Sequence, residues 1–307
     1  MMPLVSICVP TYNGERFLTE ALESVEAQIY ENCEVVVSDD ASSDRTLEIV
    51  SEFAARSKYE YRVFNHEPSG IGANWNYCVE HAKGEYIKFL FQDDLLLPDC
   101  VREMVSCIKN DSSIGMVFAR RKLLLSQAPS VAGIAWCYLF SDPVANWAHK
   151  LSQPVSGWEL LEDRSLLCSP RNKIGEPPSV LLRRSVFEDI GFFSGDLKQQ
   201  LDYEYWYRVL AHYKVAFIPD KLTVFRVHLD QATQRNKREK LEEDFVGELL
   251  AHVDRSLFHK EVLARAGGKR TWFHMKNAVF FLLKTWVVKL MVLLKILKGQ
   301  EFLNSPE

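Results

Sequence analysis

The chain lacks the excess of basic residues that a nucleic-acid partner requires. Its 307 residues carry 37 Lys and Arg against 41 Asp and Glu, a formal net charge of −4, so nothing neutralises a phosphate backbone. Seven cysteines are scattered through the chain (Cys8, Cys33, Cys78, Cys100, Cys107, Cys137 and Cys168), and none forms a CxxC pair. That excludes a cysteine zinc site and a disulfide framework, and it implies small buried hydrophobes in a reducing compartment. No GxGxxG follows the first strand candidate, where Pro10-Thr-Tyr-Asn-Gly14 stands instead, and there is no Walker A sequence. The two commonest phosphate cradles are therefore excluded. The N-terminus has no charged-then-apolar leader, and no uninterrupted apolar stretch approaches the ~20 residues of a spanning helix. The expectation is a cytoplasmic protein.

What is present is an ordinary globular composition, 47% hydrophobic and 25% charged. Strand candidates at Leu4–Val9, Cys33–Ser38, Tyr61–Phe64, Tyr86–Phe91 and Gly115–Ala119 alternate with helical patterns at Glu15–Ile29, Thr46–Ala55, Asn74–Ala82 and about 99–109. Strands alternating with helices of this length imply parallel βαβ units, so the first ~120 residues read as an α/β half of nucleotide-binding type. Its centre is the run Tyr86-Ile-Lys-Phe-Leu-Phe91, which enters Gln92-Asp93-Asp94 directly. An apolar run of this kind is a strand buried on both faces, and the carboxyl end of such a strand is where open α/β sheets bind ligands. Two adjacent carboxylates repel unless a cation lies between them, and hard cations take oxygen ligands. The plainer reading is a pair of turn formers before the helix near Pro98.

Six segments together carry a family resemblance. Val5-Ser-Ile-Cys-Val-Pro-Thr-Tyr-Asn13, Val35-Val-Val-Ser-Asp-Asp-Ala-Ser-Ser-Asp44 and Ala82-Lys-Gly-Glu-Tyr-Ile87 with Gln92-Asp-Asp94 resemble the family-2 inverting glycosyltransferases of GT-A fold. So do Pro178-Ser-Val-Leu-Leu-Arg-Arg-Ser-Val-Phe187, Asp202-Tyr-Glu-Tyr-Trp206 and Phe225-Arg-Val-His228 with Gln231. The resemblance covers residues 3–235, in the expected order and spacing. It implies an α/β GT-A fold, with a mostly parallel central sheet flanked by helices, and a nucleotide-sugar donor. A donor half would occupy about 1–120 and an acceptor half about 121–235.

By that resemblance Pro10, Thr11, Tyr12 and Asn13 meet the base and ribose, and Asp39 accepts from the base. Uracil, thymine and guanine all fit that pattern. Asp93 lies near the ribose, and Asp94, with His228, holds a divalent metal (Mg²⁺ or Mn²⁺) bridging the two phosphates. Asp202 takes the place of the catalytic base, removing the acceptor hydroxyl's proton as it attacks. The structural alternatives are a plain turn for Tyr12 and Asn13, a helix cap for Asp202 or Asp44, and a structural role for His228. Glu204 is the nearest competitor as base, and Arg183 and Arg184 read either as phosphate binders or as a solvated face. The chain departs from the family in three places. Phe91 stands at the first acid of the Asp-x-Asp metal motif, Trp75-Asn76 replaces an Arg-Asn pair, and Leu201 replaces the Glu before Asp202. Those departures leave room for a catalytically silent nucleotide-sugar binder or a membrane-associated scaffold.

Residues 120–173, with Trp136, Trp147 and Trp158 among scattered prolines, are expected to choose the acceptor. Residues 236–307 read as a helical extension that opens on the charged run Arg235–Asp244. It ends in an amphipathic helix over about 272–298. At 100° per residue Lys276, Lys284, Lys295 and Lys298 fall on one face, and Leu282, Leu283, Trp286, Leu290, Leu293 and Leu297 cover much of the rest. This is an interfacial-helix pattern. It implies peripheral attachment to the inner face of the cell membrane, beside a saccharide or lipid-linked saccharide acceptor; the structural alternative is a helix packed on the catalytic domain or in a dimer contact.

Overall fold

A computed structural model describes residues 2–126, 131–228, 231, 243–267 and 272–297. The charged run 235–244 lies outside the described residues apart from Glu243 and Asp244, as does Lys298. Strand β1 (Val5–Thr11) is buried along its whole length, as is β2 (Cys33–Asp39). β3 (Glu60–Asn65) completes the edge, and β4 (Tyr86–Phe89) lies on the other side of β1, so that β3-β2-β1-β4 run parallel. The linking helices are α1 (Leu18–Glu26), α2 (Thr46–Arg56) and α3 (Ile71–His81). Alternate residues of one strand feed opposite cores, as the period of two requires. Cys8 faces the core that holds Trp75 and Trp206, while Ile7 and Val9 face the core that holds Leu22 and Val50.

The second half of the sheet is mixed. β5 (Leu95–Leu96) and α4 (Cys100–Ile108) lead into the long β6 (Ile114–Leu125). Next come α5 (Val131–Phe140), β7 (Val155–Ser156), α6 (Gly157–Leu161), β8 (Val180–Arg183) and α7 (Ser185–Ile190). β8 inserts between β4 and β6 and runs antiparallel to both. Helix α8 (Leu201–His212) precedes β9 (Lys214–Val227), which pairs in parallel with β6 as far as Leu125 and Val227. β6 outruns the strand expected at 115–119. Conversely, the central strand stops at Phe89, which frees Leu90–Asp94 to turn at the sheet's carboxyl edge.

The extension does not stand apart. α9 (Phe245–His252) and α10 (Lys260–Ala266) bury Phe245, Leu249 and Val262 in the same core as Trp206 and Leu210. Helix α11 (Trp272–Leu297) touches the body along a narrow seam, Val288 and Val292 against Ile134 and Ala135 of α5. Much of its remaining apolar surface is open, with Phe280 68%, Leu282 67% and Trp286 64% exposed. By length and composition alone, Met275–Leu294 could cross a membrane.

Candidate active site

The loop after β1 is stitched to its neighbours by its own backbone. The N–H groups of Tyr12, Asn13, Gly14 and Glu15 donate in succession to Gln92 Oε1, Ser42 Oγ, Thr46 Oγ1 and Asp44 Oδ2, at 2.8–3.0 Å. Gln92 returns a bond from Nε2 to the Tyr12 carbonyl. A Cβ on Gly14 would lie 2.4 Å from Gln92 Oε1, so any larger residue there has to push the Gln92 side chain aside from Tyr12. Asn13 sits at φ +48°, a conformation that asparagine tolerates better than most residues. The outcome is a fixed loop with the Tyr12 side chain left exposed.

Asp39, Asp40 and Asp44 hold this loop. Asp39 is fully buried and accepts from Thr11 Oγ1 (2.7 Å), the Ser42 N–H (2.8 Å) and Ser42 Oγ (2.6 Å). Asp40 accepts from the N–H groups of Ser69 and Gly70, at the start of α3. Asp44 accepts from the N–H groups of Thr46 and Glu15. Burial pushes the Asp44 carboxyl up, but the bonds from Thr46 and Glu15 outweigh it and hold the group below the usual carboxylate range.

At the carboxyl edge Asp93 and Asp94 take different partners. Asp93 Oδ2 lies 2.9 Å from His228 Nε2, whose ring packs beside Phe17. Asp94 is buried; its Oδ1 accepts the Arg226 N–H at 2.9 Å, and its Oδ2 has no hydrogen-bond partner among the described residues. Burial, then the adjacent Asp93, pushes the Asp94 carboxyl well above its ordinary range. Arg226 donates from Nε to the Asp93 carbonyl and pairs with Glu20 of α1 at 2.7 Å. The structure thus brings Asp93, Asp94, Arg226 and His228 together. Among the described residues no three His, Cys, Asp or Glu side chains form a ready-made metal cage. The orphaned Asp94 oxygen nonetheless suits a hard cation of the kind held by one or two carboxylates plus substrate phosphates.

Asp202 stands on the first turn of α8. Its Oδ2 accepts from Asn172 Nδ2 at 3.0 Å, and its Oδ1 is buried without a partner. Burial pushes this carboxyl up to about 7, opposed by the Tyr203 N–H and the Asn172 amide and reinforced by Glu176. Glu204, the rival, is buried in an ion pair with Arg208 at 2.8 Å, and Arg208 also donates to the carbonyls of Ile190 and Phe192. That carboxylate is structural. Arg183 and Arg184 donate to the carbonyls of Ile108 and Gly84, away from the site edge.

Sequence reasoning missed Gln92's grip on Tyr12, and it missed Asn172, Glu176 and Arg121. Arg121 pairs with Glu176 at 2.9 Å, and the two charges act on Asp94 in opposite directions. Glu176 lies two residues before the Pro178 segment, and no spacing signal distinguishes it. The three family departures prove to be one feature. The Trp75 and Phe91 rings lie 4.8 Å apart, and Leu201 joins Trp75 in the same core.

Comparison with known proteins places this geometry. Residues 6–129 match the profile of glycosyl transferase family 2. An uncharacterized protein of Mycobacterium tuberculosis is 32% identical over 225 residues, covering 73% of this chain and 67% of its own. An uncharacterized glycosyltransferase of Rickettsia typhi is 30% identical over 242 residues, covering 78% and 69%. Among solved structures, S. aureus TarS 1–349 in complex with UDP-GlcNAc superposes with a TM-score of 0.61 at 17% identity, covering 97% of this chain and 93% of that one. The mannosyltransferase PcManGT from Pyrobaculum calidifontis, in complex with GDP-Man and Mn²⁺, gives a TM-score of 0.64 at 20% identity, covering 94% and 74%.

Proposed function

This chain is a family-2 glycosyltransferase of GT-A fold, and from that premise we propose a metal-assisted inverting transfer with Asp202 as base. The donor is a nucleoside-diphosphate sugar, and the acceptor is a hydroxyl of a saccharide or lipid-linked saccharide. The observation that carries this reading is the pair of orphaned, buried oxygens, Asp94 Oδ2 and Asp202 Oδ1. Desolvated carboxylate oxygens without partners are costly, and they are retained where a ligand completes them.

Each residue then has a task. Tyr12 offers an exposed ring to the nucleobase, and Pro10, Thr11 and Asn13 shape the loop beneath it. Asp39 fixes that loop from below through Thr11 and Ser42. Asp93, tied to His228, borders the ribose and phosphates. Asp94 and His228 would hold a divalent cation, Mg²⁺ or Mn²⁺, which neutralises the charge that develops on the leaving diphosphate. Asp202 accepts the acceptor's proton on Oδ1, and an ordinary value near 4 raised to about 7 matches the strength of the base to neutral pH. Donor binding belongs to residues 1–120 and acceptor binding to 121–235.

α11 supports a peripheral site of action. Its seam with α5 is narrow, and Trp286 and Leu293 point roughly away from that seam while Lys284 flanks it. This is the surface of a helix at the inner face of the cell membrane, where envelope saccharides are assembled on lipid carriers. Flotation with anionic vesicles is expected to carry the full chain but not a variant with Leu282, Trp286 and Leu293 changed to Ser. Resistance to alkaline carbonate would instead indicate a spanning helix.

The direct test is turnover of UDP-GlcNAc and GDP-mannose, followed as released diphosphate with Mn²⁺ or EDTA. Mn²⁺-dependent turnover of one donor is expected. Donor binding without any release, with saccharide acceptors present, would favour a silent binder.

A further inference from the structure

We propose that Asn172 is the positioning residue of the Asp202 base, fixing the carboxylate by one oxygen so that the other is presented to the acceptor hydroxyl. The inference rests on the reading of Asp202 as base and adds the residue that orients it. Asn172 lies in the loop before β8, and its side chain has only one workable orientation. Its Oδ1 accepts from the N–H groups of Ile174 (3.0 Å) and Gly175 (2.8 Å). Two donors converging on that atom require it to be the oxygen, so the amide nitrogen faces the other way. That nitrogen donates to the Gly175 carbonyl at 3.1 Å and to Asp202 Oδ2 at 3.0 Å.

The support behind Asn172 is rigid. The Gly175 carbonyl also accepts from Trp206 Nε1 at 2.9 Å, which ties the loop to α8, the helix that carries Asp202. Loop, amide and carboxylate therefore form a closed ring of contacts around one turn of α8. With Oδ2 engaged, the uncompensated oxygen is Oδ1, which is buried and unpartnered. A carboxylate free to rotate would present either oxygen, and orientation of this kind is a large part of what a protein adds to a base. The charged and titratable groups around Asp202 are Glu176, Tyr203, Tyr207 and Arg171. Of these Glu176 opposes ionisation, whereas the neutral Asn172 amide favours it.

The informative variant is Asn172→Asp. It keeps the oxygen that accepts from Ile174 and Gly175, so the loop retains its turn, but it sets a second oxygen against Asp202 Oδ2. Two carboxylates in contact resist joint ionisation, so the Asp202 titration moves upward. With aspartate labelled at 13Cγ, the Asp202 signal is the one absent from Asp202→Asn. We expect its midpoint near 7 in the native protein and at least one unit higher in Asn172→Asp, with a smaller rise in Asn172→Ala. Turnover of whichever of UDP-GlcNAc and GDP-mannose the native protein uses falls about tenfold below the new midpoint and recovers at high pH. Binding of the nucleoside diphosphate stays unchanged. An Asp202 midpoint and pH profile unmoved in both variants would overturn the inference. If Asp202→Asn itself keeps full turnover, the base reading falls, and the inference falls with it. If Asp202→Asn is inactive while the Asn172 variants match the native protein, only the positioning role falls.

Discussion

Two sets of carboxylates lie within one chain, and they are treated in opposite ways. Asp39, at the end of β2, and Asp40 and Asp44, in the loop that follows, have both oxygens engaged by N–H and O–H donors. Asp94 and Asp202 each keep one oxygen buried with no partner among the described residues. The first set lets the β1 and β2 loops hold a single shape. In the second set, burial raises both carboxyls above their ordinary range. The contrast separates acids whose oxygens are all engaged within the fold from acids that keep one buried oxygen unpaired among the described residues.

The comparison is broken most severely at Asp202. Asp202→Asn should lower transfer by about 10²–10⁴-fold, the usual contribution of a positioned base, while leaving diphosphate binding intact. The same variant gives a stability signature of known sign. The Asp202 carboxyl is raised to about 7 in the folded state, so the folded chain holds its proton over a range where the unfolded chain has lost it. That contribution is fully present below pH ~4 and disappears as pH rises through about 7. Between those values the metal-free native protein should lose stability relative to Asp202→Asn, measured by thermal unfolding across pH.

Glu204 sharpens the contrast from the same helix. Its carboxylate is as buried as that of Asp202 but is paired with Arg208. Glu204→Gln strands the guanidinium and should cost about 3–5 kcal/mol in chemical denaturation. Asp202→Asn should not destabilise the protein at pH 8. A smaller effect is expected at Asp44, where Asp44→Ala removes the acceptor for Thr46 and Glu15 and should cost about 0.5–2 kcal/mol. Turnover per folded molecule should change far less there than at Asp202.

Much of this was legible in the sequence. The parallel half of the sheet follows from short apolar runs alternating with helical periods, and β1, β2 and β4 lie where those runs predict. Asp94, Asp202 and His228 stand in motifs and so could be singled out. What was not legible depends on long-range closure. Asn172 and Glu176 sit in a loop without periodicity, and only the folding of that loop onto α8 gives them meaning. The antiparallel insertion of β8 between β4 and β6 was hidden for the same reason, because a four-residue strand carries no record of its neighbours. Trp75, Phe91 and Leu201 read as three separate losses of charge; in the fold they join one apolar core.

The central claim is that the orphaned oxygen of Asp94 is completed by a cation and a nucleoside diphosphate. Calorimetric titration of UDP and GDP tests it directly, with Mn²⁺ and then with EDTA, on the native protein and on Asp94→Ala. The account predicts that one nucleotide binds with Mn²⁺, weakens by at least tenfold in EDTA, and fails to regain affinity with Mn²⁺ in the variant. Equal binding with and without metal, or equal binding by Asp94→Ala, would contradict it.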